Sequence, residues 1–225
     1  VSASLEALAR KHNYLLFEDR KFADIGSTVE SQYKGGVYRI ADWSHVVNAH
    51  VIAGPGIIKG LQRAVQSRLT ESNSDPSAPP RGLLLIAEMS SEGALATGSY
   101  TDANVQMAEA NSEFVFGFIC QHALSRQPGM IHLSPGVQLP PSSAETCSTT
   151  SSTSLSSSSS SSASSRRVAT DNLGQQYHTP HDIICVKDSD VIIVGRAIVQ
   201  SPDIAAECAR YQRAGWDAYL EKIQG

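Results

Sequence analysis

Asp19, Lys21 and Asp24 stand in a D-x-K-x-x-D spacing within the stretch FEDRKFADIG, residues 17–26. An ammonium between two carboxylates stays protonated, because each opposite charge about 4 Å away is worth roughly 4 kcal/mol at an effective dielectric of 20. A buried lysine held this way can deliver a proton to a carbanion as a general acid. A carboxylate beside it repels a substrate anion and favours any step that removes that anion. Charged residues at a strand end are commonly no more than a surface cluster. Two features speak for chemistry here: the core-like run Tyr14-Leu15-Leu16-Phe17 comes before them, and Gly26-Ser27-Thr28 after them reads as a turn into a helix. Alternate residues of a strand point the same way, so Leu15, Phe17, Asp19 and Lys21 are expected on one face, with Asp24 just past the strand end.

A second candidate lies at VIIVGRAI, residues 191–198. Gly195 lets the backbone approach a ligand and Arg196 can fork onto phosphate oxygens. A glycine turn followed by a surface arginine would look the same in sequence. Gln175 and Tyr177, in LGQQY, add amide and phenol donors shortly before that segment.

Such groups need a frame, and the apolar pattern supplies one. Short, nearly continuous apolar runs occur at Tyr14–Phe17, around Val46-Val47, and at Leu83–Ala87, Phe114–Cys120, Met130–Leu133 and Val191–Val194. They read as strands buried on both faces of a parallel sheet. Helical signals alternate with them: Leu5, Leu8 and Ala9 share a face, and Ile57, Leu61, Val65 and Leu69 recur every fourth residue. Thr179-Pro180 and Ser201-Pro202 each read as an N-cap followed by proline at the first helical position. The alternation predicts a parallel α/β architecture. Six strands suit an open doubly wound sheet; a (β/α)8 barrel needs two more, upstream of Val1.

The chain of 225 residues is 41% hydrophobic, enough for one large domain or two small ones. A formal net charge of -4 gives no reason to expect nucleic acid or an anionic membrane as partner. No apolar run approaches the roughly 18 residues that span a bilayer, and no leader pattern opens the chain. Cys120, Cys147, Cys185 and Cys208 are widely spaced and read as reduced cytoplasmic thiols. The seven histidines show no HExxH or HxH spacing, so no metal site is expected. Glu71–Arg81 is a polar connection. Residues 140–167, with seven consecutive serines at Ser156–Ser162, are expected to be a disordered insert in one domain spanning 1–225.

LLFEDRKFADIG (15–26), YRIADWSHVVNAH (38–50), LLLIAEMSSEGALATGSYT (83–101), LSPGV (133–137), LGQQY (173–177), DVIIVGRAI (190–198) and AGWDAYL (214–220) together resemble the orotidine 5'-phosphate decarboxylases of fungal type. The resemblance runs in order over essentially the whole chain outside the serine-rich insert. It implies a (β/α)8 TIM barrel, with about six of the eight βα units in this chain, acting as a homodimer without metal or organic cofactor. It implies conversion of orotidine 5'-monophosphate to UMP and CO2, the last step of pyrimidine synthesis. Asp19 would flank the substrate carboxylate and Lys21 would protonate C6. Asp24 and Thr28 would reach the partner subunit's site, and Ser90 would touch the pyrimidine. Gln175, Tyr177, Gly195 and Arg196 would hold the phosphate, beneath a loop opening at Pro135.

The family's first two strands, with a ribose-binding aspartate and a second lysine, have no counterpart here. The 225 residues alone are therefore expected to be inactive and prone to aggregate. Two other readings remain at this point. One is a Mg²⁺-dependent sugar-phosphate decarboxylase or aldolase sharing the D-x-K-x-x-D spacing; the other is an inactive phosphate-binding fragment.

Overall fold

A computed structural model describes residues 2–71, 80–140, 169–170 and 174–224. In chain order the elements are α1 (Ser2–His12), β1 (Phe17–Phe22), α2 (Gly26–Lys34), α3 (Ile40–Trp43), β2 (Val46–Ala49), a 3₁₀ turn (Val51–Ala53), α4 (Gly56–Glu71), β3 (Gly82–Ile86), α5 (Ser99–Glu109), β4 (Val115–Ile119), β5 (Ile131–Ser134), β6 (Ala169–Thr170), β7 (Gln176–Tyr177), a π-helical turn (Asp182–Val186), β8 (Val191–Ile192), α6 (Arg196–Val199) and α7 (Ile204–Gln224). Among the described residues, six strands form one sheet in the order β1-β2-β3-β4-β5-β8, and every neighbouring pair is parallel. Sequential parallel strands joined through helices make an arc of a (β/α)8 barrel. The expected insert lies, beyond Pro140, outside the described residues, and so do residues 72–79 of the expected polar connection.

Alternation along the strands divides the core in two. Val46, Leu84, Ile86, Ile119 and Leu133 pack with Phe17, Phe116, Ile131 and Ile193 on the concave face. Val47, Ala49, Leu83, Leu85, Val115 and Phe118 face the other way, against Val29, Tyr33, Ile57, Ile58 and Leu61 of the helices. The every-fourth-residue stripe of α4 is buried from Ile57 through Val65 and reaches solvent at Leu69. Leu5 and Leu8 of α1 stay largely exposed while Ala9 is buried, because α1 packs chiefly on the short α3.

Two expectations shift and one holds. The first strand begins at Phe17, not Tyr14, so the charged residues are themselves the strand, and Leu15 is 62% exposed. The chain enters the sheet at Leu16, whose N–H donates to His45 Nδ1 at 2.8 Å. Thr179 caps as expected: its Oγ accepts the Asp182 N–H at 3.1 Å, and the Asp182 carboxylate accepts the Thr179 N–H at 3.2 Å. At Ser201-Pro202 the cap falls two residues later, where Asp203 Oδ1 accepts the Ala206 N–H at 2.9 Å and α7 starts at Ile204.

A close backbone approach fixes α2 against α4. A Cβ added at Gly60 would sit 2.1 Å from the Gly26 carbonyl oxygen, and one at Gly26 would sit 2.5 Å from that of Gly56. Neither oxygen can retreat without moving a helix. Gly26 begins α2 two residues after Asp24, so this crossing also sets where the D-x-K-x-x-D segment ends. Gly60→Ala should destabilise the chain by roughly 2–4 kcal/mol. A urea midpoint equal to that of the parent would contradict the tight crossing.

Candidate active site

β1 does not run straight through its charged residues. Its pairing with β2 shifts register between Glu18 and Phe22, and Lys21 takes a left-handed φ of 53°. This bulge re-aims a side chain at the strand's C-terminal end. Asn48 of β2 makes it possible: its Oδ1 accepts the Lys21 N–H at 2.8 Å, and its Nδ2 donates to Asp19 Oδ1. Lys21 Nζ in turn donates to Asp19 Oδ2 in a short ion pair. One buried amide thus holds the backbone of the lysine and the carboxylate that the lysine pairs with.

The expected buried lysine between two carboxylates is modified in two ways. The Lys21 and Asp19 side chains are 44% and 59% exposed, since β1 is an edge of the described sheet. Solvent screening leaves a pair this open about 1 kcal/mol or less. Asp24 does not complete the pair on the other side; its Oδ1 accepts the N–H of Ile25 at 2.7 Å. Thr28 lies in the first turn of α2, half-buried, with its N–H bonded to the Ile25 carbonyl.

Polar residues follow the concave-facing apolar stretches of β2, β3 and β4. Beyond Val46 and Asn48, the same register reaches His50; beyond Ile86 it reaches Glu88, and beyond Ile119 it reaches Gln121. Glu88 Oε2 accepts the Gln121 N–H at 2.7 Å and lies 3.2 Å from His122 Nδ1. The Tyr100 hydroxyl accepts the Val51 N–H at 3.1 Å and sits 3.2 Å from His50 Nδ1. Burial, and then the Lys21 charge, holds His50 below its usual pKa. A neutral His50 taking the tyrosine proton on Nδ1 presents Nε2–H as its remaining donor. Asn48, His50, Glu88 and Gln121 were not among the residues singled out from sequence. The available signal was a polar residue at an inward position just where an apolar run ends.

The second candidate group assembles around Ser90. The Gln176 N–H donates to the Ser90 carbonyl at 3.0 Å, Glu92 N–H donates to the Gly174 carbonyl at 2.8 Å, and Gln175 Nε2 lies 3.4 Å from the Ser90 carbonyl. Past Pro135, the His178 N–H donates to the Gly136 carbonyl at 2.8 Å. The Arg196 guanidinium lies over the Tyr177 ring, 5.8 Å from its centre. Ser90, Gln175, Tyr177 and Arg196 therefore come together through the β7 segment, with Gly195 next to Arg196 at the end of β8. Lys21 is on edge strand β1, whereas the second group spans the arc from Ser90, past β3, to Arg196, past the opposite edge strand β8, both groups lying at C-terminal strand ends.

A parallel β/α arc with an ion-paired lysine in the last residues of one strand and a glycine-arginine step past another has the layout of the active-site end of a (β/α)8 enzyme. The chain belongs to the orotidine 5'-phosphate decarboxylase / HUMPS family, whose model matches residues 2–155 and 158–211. It is 46% identical to the orotidine 5'-phosphate decarboxylase of Mucor circinelloides f. lusitanicus, over 99% of this chain and 71% of that protein. It is 44% identical to the uridine 5'-monophosphate synthase of Bos taurus, over 99% of this chain and 38% of that one. Among solved structures, orotidine 5'-monophosphate decarboxylase from Sulfolobus solfataricus superposes with a TM-score of 0.60 at 16% identity, covering 96% of this chain and 81% of that chain. The enzyme of Methanocaldococcus jannaschii complexed with the inhibitor BMP gives 0.55 at 19%, covering 95% and 79%. At those identities the structural likeness speaks for the fold.

Two predictions follow from local geometry. Gly136 has a φ of +80°, and a Cβ there would lie 2.5 Å from the Gln176 carbonyl oxygen. Gly136→Ala should raise hydrogen exchange at the Gln176 and His178 amides by about tenfold or more while leaving β3 unchanged. Equal exchange in the variant would contradict it. The second concerns pH. His45, His50 and His178 are all held below 6.5, by burial first and then by Arg81, Lys21 and Lys187 respectively. The unfolded chain then binds more protons than the folded one as pH falls through 6.5, so stability drops across that window. The urea midpoint should be lower at about pH 5.5 than at about pH 7.5; equal midpoints would contradict it.

Proposed function

We propose that this chain carries the catalytic strand and phosphate grip of an enzyme that decarboxylates orotidine 5'-monophosphate to UMP, without metal or organic cofactor. The observation that carries the reading is the Lys21–Asp19–Asn48 constellation at the mouth of β1, in a chain that belongs to this family.

The phosphate docks at Gln175, Tyr177, Gly195 and Arg196, and Ser90 meets the pyrimidine. Binding energy from the phosphate, distant from the reacting carbon, presses the substrate carboxylate toward Asp19. The C6–carboxylate bond breaks heterolytically; CO2 leaves and the electron pair stays on C6. The Lys21 ammonium stabilises that charge as it develops and then gives C6 its proton, which solvent restores to the amine. Asn48 acts as a positioning residue, fixing the direction of the cation.

The reading includes a homodimer. The Asp24 carboxylate is exposed and engages Ile25 N–H rather than Lys21, and Ile25 itself is exposed, which supports this edge facing a second subunit. Asp24 and Thr28 would then act in the partner's site. Among the described residues no helix is long and apolar enough to cross a membrane, and the enzyme is assigned to the cytoplasm with the rest of nucleotide synthesis.

In the protein that carries these residues, Lys21→Ala should lower turnover of orotidine 5'-monophosphate by at least about 10³-fold and leave UMP affinity nearly intact. EDTA should not change the rate of the parent. A variant within tenfold of the parent, or a rate abolished by EDTA, would overturn the reading.

A further inference from the structure

His181, Cys185 and Glu221 place an imidazole nitrogen, a thiol sulfur and a carboxylate oxygen within 4.8 Å of one another. None of the three belongs to the nucleotide site proposed above. His181 and Cys185 are four residues apart on the helical turn that Pro180 opens, so both project from one side of it. Glu221 comes from the last turns of α7, which packs against that turn. His181 Nε2 and Glu221 Oε1 are already 3.1 Å apart. Two such atoms bound to one tetrahedral ion at about 2.1 Å are roughly 3.4 Å apart, so the pair is close to ligand spacing without rearrangement.

We propose that His181, Cys185 and Glu221 form a binding site for a zinc-class divalent ion, with water in the fourth position. The donor set selects the metal. An acidic surface cluster would suit Ca²⁺ or Mg²⁺, whereas a nitrogen–sulfur–oxygen triad suits Zn²⁺ and Co²⁺. The site is open to solvent on the side an ion would enter, since the His181 and Glu221 side chains are 48% and 66% exposed. The sulfur lies deeper and now donates its hydrogen to the Ala218 carbonyl at 3.1 Å. On binding, the thiol proton passes to solvent as the metal–sulfur bond forms, and the His181–Glu221 hydrogen bond is exchanged for two metal bonds. Burial and the neighbouring Glu221 carboxylate favour the protonated thiol, with Lys222 opposing them. The metal therefore has to supply the ionisation. Its effect would be to tie α7 to the turn that precedes β8. Sequence spacing hid the site because one ligand lies 36 positions beyond the nearer of the other two, from Cys185 to Glu221.

The test is titration of the whole chain with Co²⁺, a spectroscopic stand-in for Zn²⁺. The expected result is one equivalent bound, with a thiolate-to-cobalt band in the near ultraviolet that Zn²⁺ abolishes by displacement. Cys185→Ser should remove the band; His181→Ala and Glu221→Gln should each weaken binding by about tenfold or more. Cys208→Ser and Cys147→Ser should leave it unchanged. Zn²⁺ at a hundredfold excess over its dissociation constant should raise the Tm by roughly 5–10 °C, and not in Cys185→Ser. Far-ultraviolet circular dichroism matching the parent shows that each variant is folded. No band at millimolar Co²⁺, or a band that survives Cys185→Ser, overturns the proposal.

Discussion

One side-chain amide sets the geometry on which the candidate chemistry rests. Asn48 accepts the backbone N–H of Lys21 and donates to the carboxylate that Lys21 pairs with. A lysine in the left-handed region is strained backbone, and an edge strand has few partners to impose that strain. The amide comes from a rigid neighbour, since all four residues of β2 are buried. β2 is held by parallel pairing to β3 and by Val47 and Ala49 packed among the helices. The position of the cation is therefore a property of the sheet behind it more than of the exposed ion pair, which contributes little by itself.

The second constraint is the Gly26–Gly56–Gly60 crossing, which seats α2 on α4 at backbone contact. Together the two constraints fix both ends of the D-x-K-x-x-D segment: Asn48 clamps it at Lys21, and the glycines clamp it at Gly26. Asp24 lies between them, exposed and turned from the lysine. Toward the far side of the arc, the isolated bridge between Ser91 and Gln175, the Gln176–Ser90 hydrogen bond and the turn at Gly136 bring three loops into one place, so the second candidate group is assembled largely by backbone pairing.

Much of this was legible in the residues. β2, β3, β4 and β5 fall within one or two positions of their apolar runs, because strands buried on both faces leave continuous apolar sequence. β1 was displaced because half of it is charged: an edge strand at an active site need not look like a strand, and the apolar residues Tyr14 and Leu15 in front of it stay exposed. The bulge at Lys21 breaks the alternation from which a shared face with Asp19 was inferred, yet the two side chains still meet. Asn48 was overlooked because an amide inside VVNAH reads as strand filler. Only the register across β1 and β2 gives it a partner. Ser201-Pro202 misled because Asp203, two residues on, is the better-placed cap.

The most direct measurement is the position of the Lys21 ammonium relative to a bound nucleotide, from a crystal structure of the protein with UMP. The account predicts Nζ at hydrogen-bonding distance, about 3 Å, from C6 of the pyrimidine, with Asn48 still bridging Asp19 and the Lys21 backbone and the phosphate on Arg196. A nucleotide seated with its base away from β1, or with Lys21 Nζ directed into solvent, would contradict it.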